Sequence, residues 1–386
     1  MKLSTTITHP IKGLIDIQEL DESEAFLILS LMPALGAIKI RLLVQYFGSP
    51  TRALLAEKEE LQGIPGFGPK IVEGLAKWRE DVQWKQNLAI ATQHNVHIIP
   101  YTNPLYPKRL LEIADHPVLL YMKGDWQLCD QKCIAIVGTR QASIYGYEMA
   151  QRFGMELASY GFTVVSGLAR GIDTGAHLGA LERGRTIAVI GSGLADIYPA
   201  ENKPLADRIA QKGIVMSEFP METPPDRQNF PQRNRIVSGM TLGTILIEAP
   251  YKSGAMITME KGLAQGRKLF ALPGRADHDN FRGNHELIKS GRAQLVESAE
   301  DVVRSFEDLF CGLRAAKPGT VVPKIHLEKE EEELIKILPE QETSFEEIIQ
   351  LTKLPVMKLN VLLMSLVLKK AIKEFPGKLY KKGAYL

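Results

Sequence analysis

The sequence predicts an α/β protein built on a doubly wound parallel sheet, with a helical domain before it and a helix-turn-helix with a wing after it. Three observations predict this. Between about residues 86 and 310, six short apolar runs alternate with helical patterns, as right-handed βαβ units require. Those runs are continuously apolar rather than alternating, as strands covered on both faces must be. The two flanks instead carry apolar residues at three-and-four spacing. A length of 386 residues accommodates two to four such domains.

The helical domain is expected over 1–85. "EAFLILSLMPALGAIKIRLLVQYFG" has helical spacing, and "LQGIPGFGPKIVEGLAKW" runs through Pro65, Gly66, Phe67, Gly68, Pro69 and Lys70 into an amphipathic helix. Two glycines around one apolar residue allow a tight turn that presents N–H groups at a helix start, a geometry suited to phosphate. The stretch resembles the hairpin of helix-hairpin-helix (SAM-like) modules. It reads equally as a plain helix corner that packs a small domain.

The core is expected over 86–310. Its strands are "KCIAIVGTR", "GFTVVSGLA", "RTIAVIGSG", "GIVMSEFP", "GTILIEAP" and "KLFALPGR", each ending in Gly, Ser or Pro. A linker, 311–328, lacks periodicity and leads into a helix start that carries a run of glutamates. Three apolar-periodic helices then fill 329–386, with a capping box at Ser344 and Glu347, and "AIKEFPGKLYKKGAYL" follows as strand-turn-strand. Lys358, Lys369, Lys370, Lys373, Lys378, Lys381 and Lys382 make one end of this winged-helix pattern basic.

Composition narrows the function classes. Net charge is +2, so any affinity for nucleic acid must come from a local patch. Cys129, Cys133 and Cys311 are too few and too scattered for a disulfide framework, and no four-ligand zinc spacing accompanies them. No run has the length of a signal peptide's apolar core or of a membrane span, which places the expected protein in the cytoplasm and off the membrane.

The strand ends carry the chemistry, because ligands of such sheets bind beyond them. The first, "AIVGTRQAS", puts Gly138 and Arg140 just after a strand. "SGLARGIDTGAH" repeats the design with Ser166, Gly167 and Arg170, and "VIGSGLADIYPAEN" is a third glycine turn. Three such turns on one sheet edge make a groove of N–H groups and arginines. No G-x-G-x-x-G fingerprint or P-loop is present, so no dinucleotide or other cofactor is expected. Asp173 and His177 lie four apart on a helix, and Glu248 and Ser253 follow a strand; they read as packed or locally capped rather than catalytic. The segment "DRQNFPQRNR" reads as a loop. Arg227, Arg233 and Arg235 supply charge there, Phe230 a stacking face, and Asn234 a partner for a base edge or a carbonyl. That is what a single strand needs. The alternative is a core phenylalanine with arginines paired to Glu218, Glu222 or Asp226.

Seven ordered segments, "VGTR", "SGLARGIDTGAH", "AVIGSGLADIYPAEN", "SEFP", "FPQRNRIVSGM", "SGAMITMEKGLAQGRKLFALPG" and "ELIKSGRAQLV", resemble the DNA-processing protein A (DprA/Smf) family. The resemblance implies an extended Rossmann-like core that binds single-stranded DNA. It further implies a homodimer, delivery of the strand to the RecA recombinase during natural transformation, and no enzymatic reaction. It transfers the DNA-binding role to Gly138, Arg140, Ser166, Gly167, Arg170, Arg227, Phe230, Arg233, Asn234 and Arg235. Members often carry a basic residue inside the "YP..N" segment; here Ala200 and Glu201 stand there, so that contact is either missing or supplied by Lys203 just beyond. A second reading, a phosphoribohydrolase-like nucleotide hydrolase, rests on a faint echo of "PGGxGTxxE" ending at Glu248.

Overall fold

The computed structural model describes residues 20–125, 132–306, 327–339, 341–369, 371–375 and 377–382. Cys129, Cys311, Lys370 and most of the expected linker lie outside them. The chain divides into two compact units, Met1–Arg314 and Ala315–Leu386.

The first unit opens with helices α1 (Glu22–Leu31), α2 (Ala37–Phe47), α3 (Pro50–Leu55), α4 (Lys58–Gln62), α5 (Pro69–Ala76) and α6 (Gln83–Gln93). Asp21 and Glu24 form a capping box at the start of α1. Gly66 takes a left-handed φ of 86° in the turn before α5, and Phe67 beside it is buried. These helices do not stand apart from the sheet. Phe26, Leu61 and Trp84 share one apolar cluster with Leu119, Tyr121, Ala188, Ile209 and Val215. The Tyr121 hydroxyl donates to Asn87 Oδ1 at 2.8 Å.

Nine strands form the sheet: β1 (His97–Pro100), β2 (Leu119–Gly124), β3 (Cys133–Val137), β4 (Thr163–Ser166), β5 (Thr186–Val189), β6 (Ile214–Ser217), β7 (Gly243–Leu246), β8 (Lys268–Ala271) and β9 (Gln294–Leu295). Their order is β1-β2-β6-β5-β4-β3-β7-β8-β9. β3 to β9 are parallel, including all six strands expected from the apolar runs. β1 and β2 add an antiparallel edge that the sequence reading did not anticipate.

The layers follow from strand alternation. Ile134 and Ile136 of β3 face α7 (Ile144–Ser159) and α8 (Ile172–Arg183). Ala135 and Val137 face the opposite layer. After β6 and its helix α9 (Lys203–Lys212), the chain crosses to the other side of β3. There α10 (Asn229–Gly239), α11 (Gly254–Ala264) and α12 (Arg282–Lys289) cover the second face. β3 and β7 are therefore neighbours whose following helices lie on opposite faces, the topological switch point where such sheets bind ligands. Helix α13 (Ala299–Arg304) packs against α7 and ends the unit's described part.

One expected element is corrected. "NFPQRNRIVSG" is not a loop: it is helix α10 in its entirety. Pro231 sits in the first turn, where its missing N–H costs nothing.

The second unit contains α14 (Lys329–Ile337), α15 (Phe345–Thr352) and α16 (Val356–Leu368), with strands β10 (Thr343–Ser344), β11 (Ile372–Phe375) and β12 (Leu379–Lys382) in the antiparallel order β10-β12-β11. The Ser344–Glu347 capping box is present. Leu334, Phe345, Leu363 and Tyr380 form its core. Two of the lysines expected to make it basic are engaged: Lys358 Nζ donates to Glu330 at 2.6 Å and Lys369 Nζ to Glu331 at 2.7 Å. Burial works to raise the Glu331 pKa. Hydrogen bonds from Lys369, the Glu328 end of the helix cap and Ser365 outweigh it and hold the carboxyl at about 2. Among the described residues no single helix is long and apolar enough to cross a membrane.

Candidate nucleic-acid interface

A cavity of about 480 Å³ opens at the switch point. Four separate segments wall it. The turn after β3 supplies Gly138, Thr139, Arg140 and Gln141, and the turn after β4 supplies Gly167 and Ala169, with Asp173 from the start of α8. Helix α10 supplies Phe230, Pro231, Arg233, Asn234 and Val237. The turn after β7 supplies Lys252, Ser253 and Gly254, leading into α11. Phe230, Arg233, Asn234 and Val237 stand at i, i+3, i+4 and i+7, one face of a helix. A smaller cleft beside it is lined by Arg140, Arg170, Tyr198, Phe230 and Arg233.

Arg233 lies at the floor and is 5% exposed. Its Nη1 donates to the Val189 carbonyl at the end of β5, at 2.6 Å. The guanidinium fits because residue 167 is glycine: a Cβ there would overlap it. Gly171, at φ 74°, likewise lets the loop pass the Thr139 carbonyl. Between these glycines Leu168, fully buried, holds a left-handed φ of 61°, a strained setting of the kind that clusters at functional sites.

Among the described residues no carboxylate forms an ion pair with Arg233, and its Nε has no hydrogen-bond partner. Burial lowers its pKa to about 10; Asp173 opposes that shift and Arg140 adds to it. The group thus stays charged at neutral pH in a place where a lone charge is costly. Asp173 is spoken for by backbone: it accepts from Gly167 N at 3.1 Å and Ala169 N at 3.2 Å. Its carboxyl is pushed up by burial, with Arg233 pulling it back.

Arg140 is exposed on the rim, its guanidinium carbon 5.1 Å above the centre of the Phe230 ring. The Tyr198 ring lies 5.8 Å from the same ring. Phe230 is half-buried and presses so closely on Gly191 that a Cβ there would crowd it.

Gly138 lines the cavity, and a Cβ on it would collide with Ile172 and the Glu248 carbonyl, so packing already demands glycine. Ser166 is fully buried and donates to the Ile136 carbonyl at 2.6 Å; it does not line the cavity. Arg170 is exposed and ion-paired with Glu201. Asn234 lines the cavity while its Nδ2 donates to the Gly254 carbonyl at 3.2 Å. Arg227 and Lys203 are exposed and line neither cavity. Arg235 lies away from both, with Glu218 at 2.6 Å and Asp115 at 3.3 Å, so for this residue the pairing alternative is the one observed.

The residues weighed for catalysis are built into the fold. His177 Nδ1 is 2.7 Å from Thr186 Oγ1, and burial depresses its pKa to about 3. Glu248 is fully buried under the start of α7. It accepts from Ser143 Oγ at 2.7 Å, from Ser143 N, and from Asn280 at 2.8 Å, and it lines no cavity described above.

The turn carrying Lys252, Ser253 and Gly254 is a cavity wall that the sequence reading did not assign to the groove. The signal was available: "GTILIEAPYKSGAM" is a fourth strand end followed by a serine-capped helix.

This fold and site define a class: a doubly wound α/β protein with a groove at its switch point, floored by a buried guanidinium and rimmed by a second arginine. The model of the DNA recombination-mediator protein A family matches residues 97–307, and the chain belongs to that family. Protein Smf of Synechocystis is 30% identical over 395 residues, spanning 94% of this chain and 99% of that protein. The DNA processing protein DprA of Bacillus subtilis is 40% identical over 248 residues, 64% of this chain and 78% of that protein. The X-ray structure of DNA processing protein A from Streptococcus pneumoniae superposes with a TM-score of 0.64 at 33% identity, covering 75% of this chain and 99% of that one. The Helicobacter pylori protein, solved for its single-stranded DNA binding mode, gives 0.50 at 31% identity, covering 55% of this chain and 96% of that one.

Proposed function

We propose that the chain binds single-stranded DNA at the switch-point cavity, with Arg233 and Arg140 taking phosphate and the turn N–H groups completing the shell. One observation carries this reading: Arg233 is a buried cation that forms no ion pair with any carboxylate among the described residues, open to a groove whose rim holds a second arginine. A phosphate supplies the missing charge. The groove has the size of a small-ligand pocket. It therefore takes one nucleotide of a flexible strand, and a duplex cannot enter it.

The family supports the finer reading: a homodimer in the cytoplasm that loads the RecA recombinase onto the strand during natural transformation, by binding rather than turnover. The reading assigns strand capture to the core, 86–310. The helical domain 1–85, the linker 311–328 and a winged-helix domain 329–386 serve partners or duplex. The test is a mobility shift of the full chain with single- and double-stranded oligonucleotides at several salt concentrations. Tighter binding of the single strand is expected, with Arg140→Ala weakening it and flattening the salt dependence by about one phosphate. Equal affinity for both forms, or an Arg140→Ala variant that binds as wild type does, refutes it.

A further inference from the structure

We propose that Tyr251 is a base-stacking platform for the nucleotide next to the one held over Arg233, so that the strand leaves the cavity across Lys252 towards Arg292. The proposal rests on the single-strand reading above and extends it to a site that reading does not use.

A second depression, of about 540 Å³, adjoins the first and shares Lys252, Ser253, Gly254 and Ile257 with it. Tyr251 and Arg292 line only the second. The two form one continuous track, and Lys252 stands where they join. Lys252 is exposed and has no acid partner among the described residues. Arg292 is anchored by Glu286 at 3.4 Å and by Ser290 Oγ at 2.9 Å, with part of its side chain open. Glu260 also lines the depression and repels a phosphate, which keeps the backbone on the Lys252 side.

Base stacking needs an aromatic face that is open. Phe230 does not offer one freely: Arg140 lies over its ring, Tyr198 flanks it and Gly191 presses against it. Phe230 therefore serves as the floor on which Arg140 is held. Tyr251 is the opposite case. It is 56% exposed on the turn after β7, and among the described residues it has no ring neighbour and no hydrogen bond. A tyrosine left open between a lysine and an acid-bordered depression fits an unpaired base better than it fits solvent.

The experiment is fluorescence anisotropy of the full chain with labelled thymidine 5′-monophosphate and labelled dT12. Tyr251→Ala is expected to weaken dT12 roughly 5- to 150-fold, the range of one base–aromatic stack, and to leave the mononucleotide, which has no neighbouring base to stack, unchanged. Its salt dependence stays that of wild type because no charge is lost, whereas Lys252→Ala flattens it. Tyr251→Phe retains dT12 affinity. Wild-type affinity for dT12 in Tyr251→Ala, or an equal loss for both lengths, overturns the proposal. Failure of the wild-type chain to bind dT12 at all overturns the single-strand reading itself and is seen before any Tyr251 variant is compared.

Discussion

Arg233 and Arg235 leave helix α10 two residues apart and meet opposite surroundings. Arg235 points to the side where β6 and the segment before β2 end, and Glu218 and Asp115 meet it there. Arg233 points into the switch point, where it finds a carbonyl and a glycine, and among the described residues Asp173 acts on it through the electric field without forming an ion pair. One arginine is a structural cross-link with its charge settled inside the protein. The other keeps its charge in reserve. What distinguishes them is the fold behind them, which brings the end of β6 and the segment before β2 to Arg235 and neither to Arg233. The difference teaches that a buried arginine is a binding candidate in proportion to what the protein has not given it.

The comparison is broken most severely by removing the reserve. Arg233→Met should cost about 2–5 kcal/mol of strand binding, at least about 30-fold, because one partner of a buried charged contact is lost. Its thermal midpoint should hold, since an unpaired buried cation does not stabilise the fold. Gly167→Ala should match it in a filter-binding assay, because the added methyl takes the guanidinium's space. Retained affinity in both would show that the floor is not the anion site. Arg235→Met should do the reverse: it strands Glu218 and lowers unfolding free energy by about 1–3 kcal/mol, while affinity per folded molecule, titrated after urea-melt calibration, stays at the wild-type value.

Glu331 of the second unit is the inverse case, a buried acid given every partner. Its folded pKa of about 2 lies below the ordinary 4.5. The stability it contributes is therefore complete above about pH 4.5 and is lost as pH falls towards 2. Circular dichroism of an acid titration should show Glu331→Gln less stable than wild type at pH 7, with the gap closing through that window. A constant gap would assign the effect to shape instead of charge. The smallest change sharpens the comparison from the other direction. Glu201→Gln releases exposed Arg170, as the fold releases Arg233. It should tighten binding only slightly at low salt, and anisotropy should show the gain vanish at high salt.

The six parallel strands β3 to β8 were legible because strands covered on both faces are predominantly apolar runs, and these end in glycine, serine or proline. β1 and β2 were not, since an antiparallel edge pair carries no strand-end turn of that kind, and β9 is only two residues long. α10 was misread because a proline and three polar residues at its start outweighed its periodicity. Four of its five cavity-lining positions, 230, 233, 234 and 237, already had the spacing of a helix face. Arg140 and Gly167 were legible as strand-end residues. That Arg233 is open and Arg235 closed was not: Glu218 was a candidate partner for either arginine, and Asp115, which joins it on Arg235, is a neighbour in space alone.

The cavity's walls belong to two layers that touch opposite faces of one sheet: the turns leading to α7 and α8 on one side, α10 and α11 on the other. Whatever occupies the groove holds both layers at once, like a clasp closed across a spine. Occupancy and cohesion of the unit are then linked quantities. Saturating strand at 100 times its dissociation constant would raise the unit's resistance to unfolding by about 2.7 kcal/mol. The same linkage runs backwards, so loosening either layer, even far from Arg233, loosens the grip.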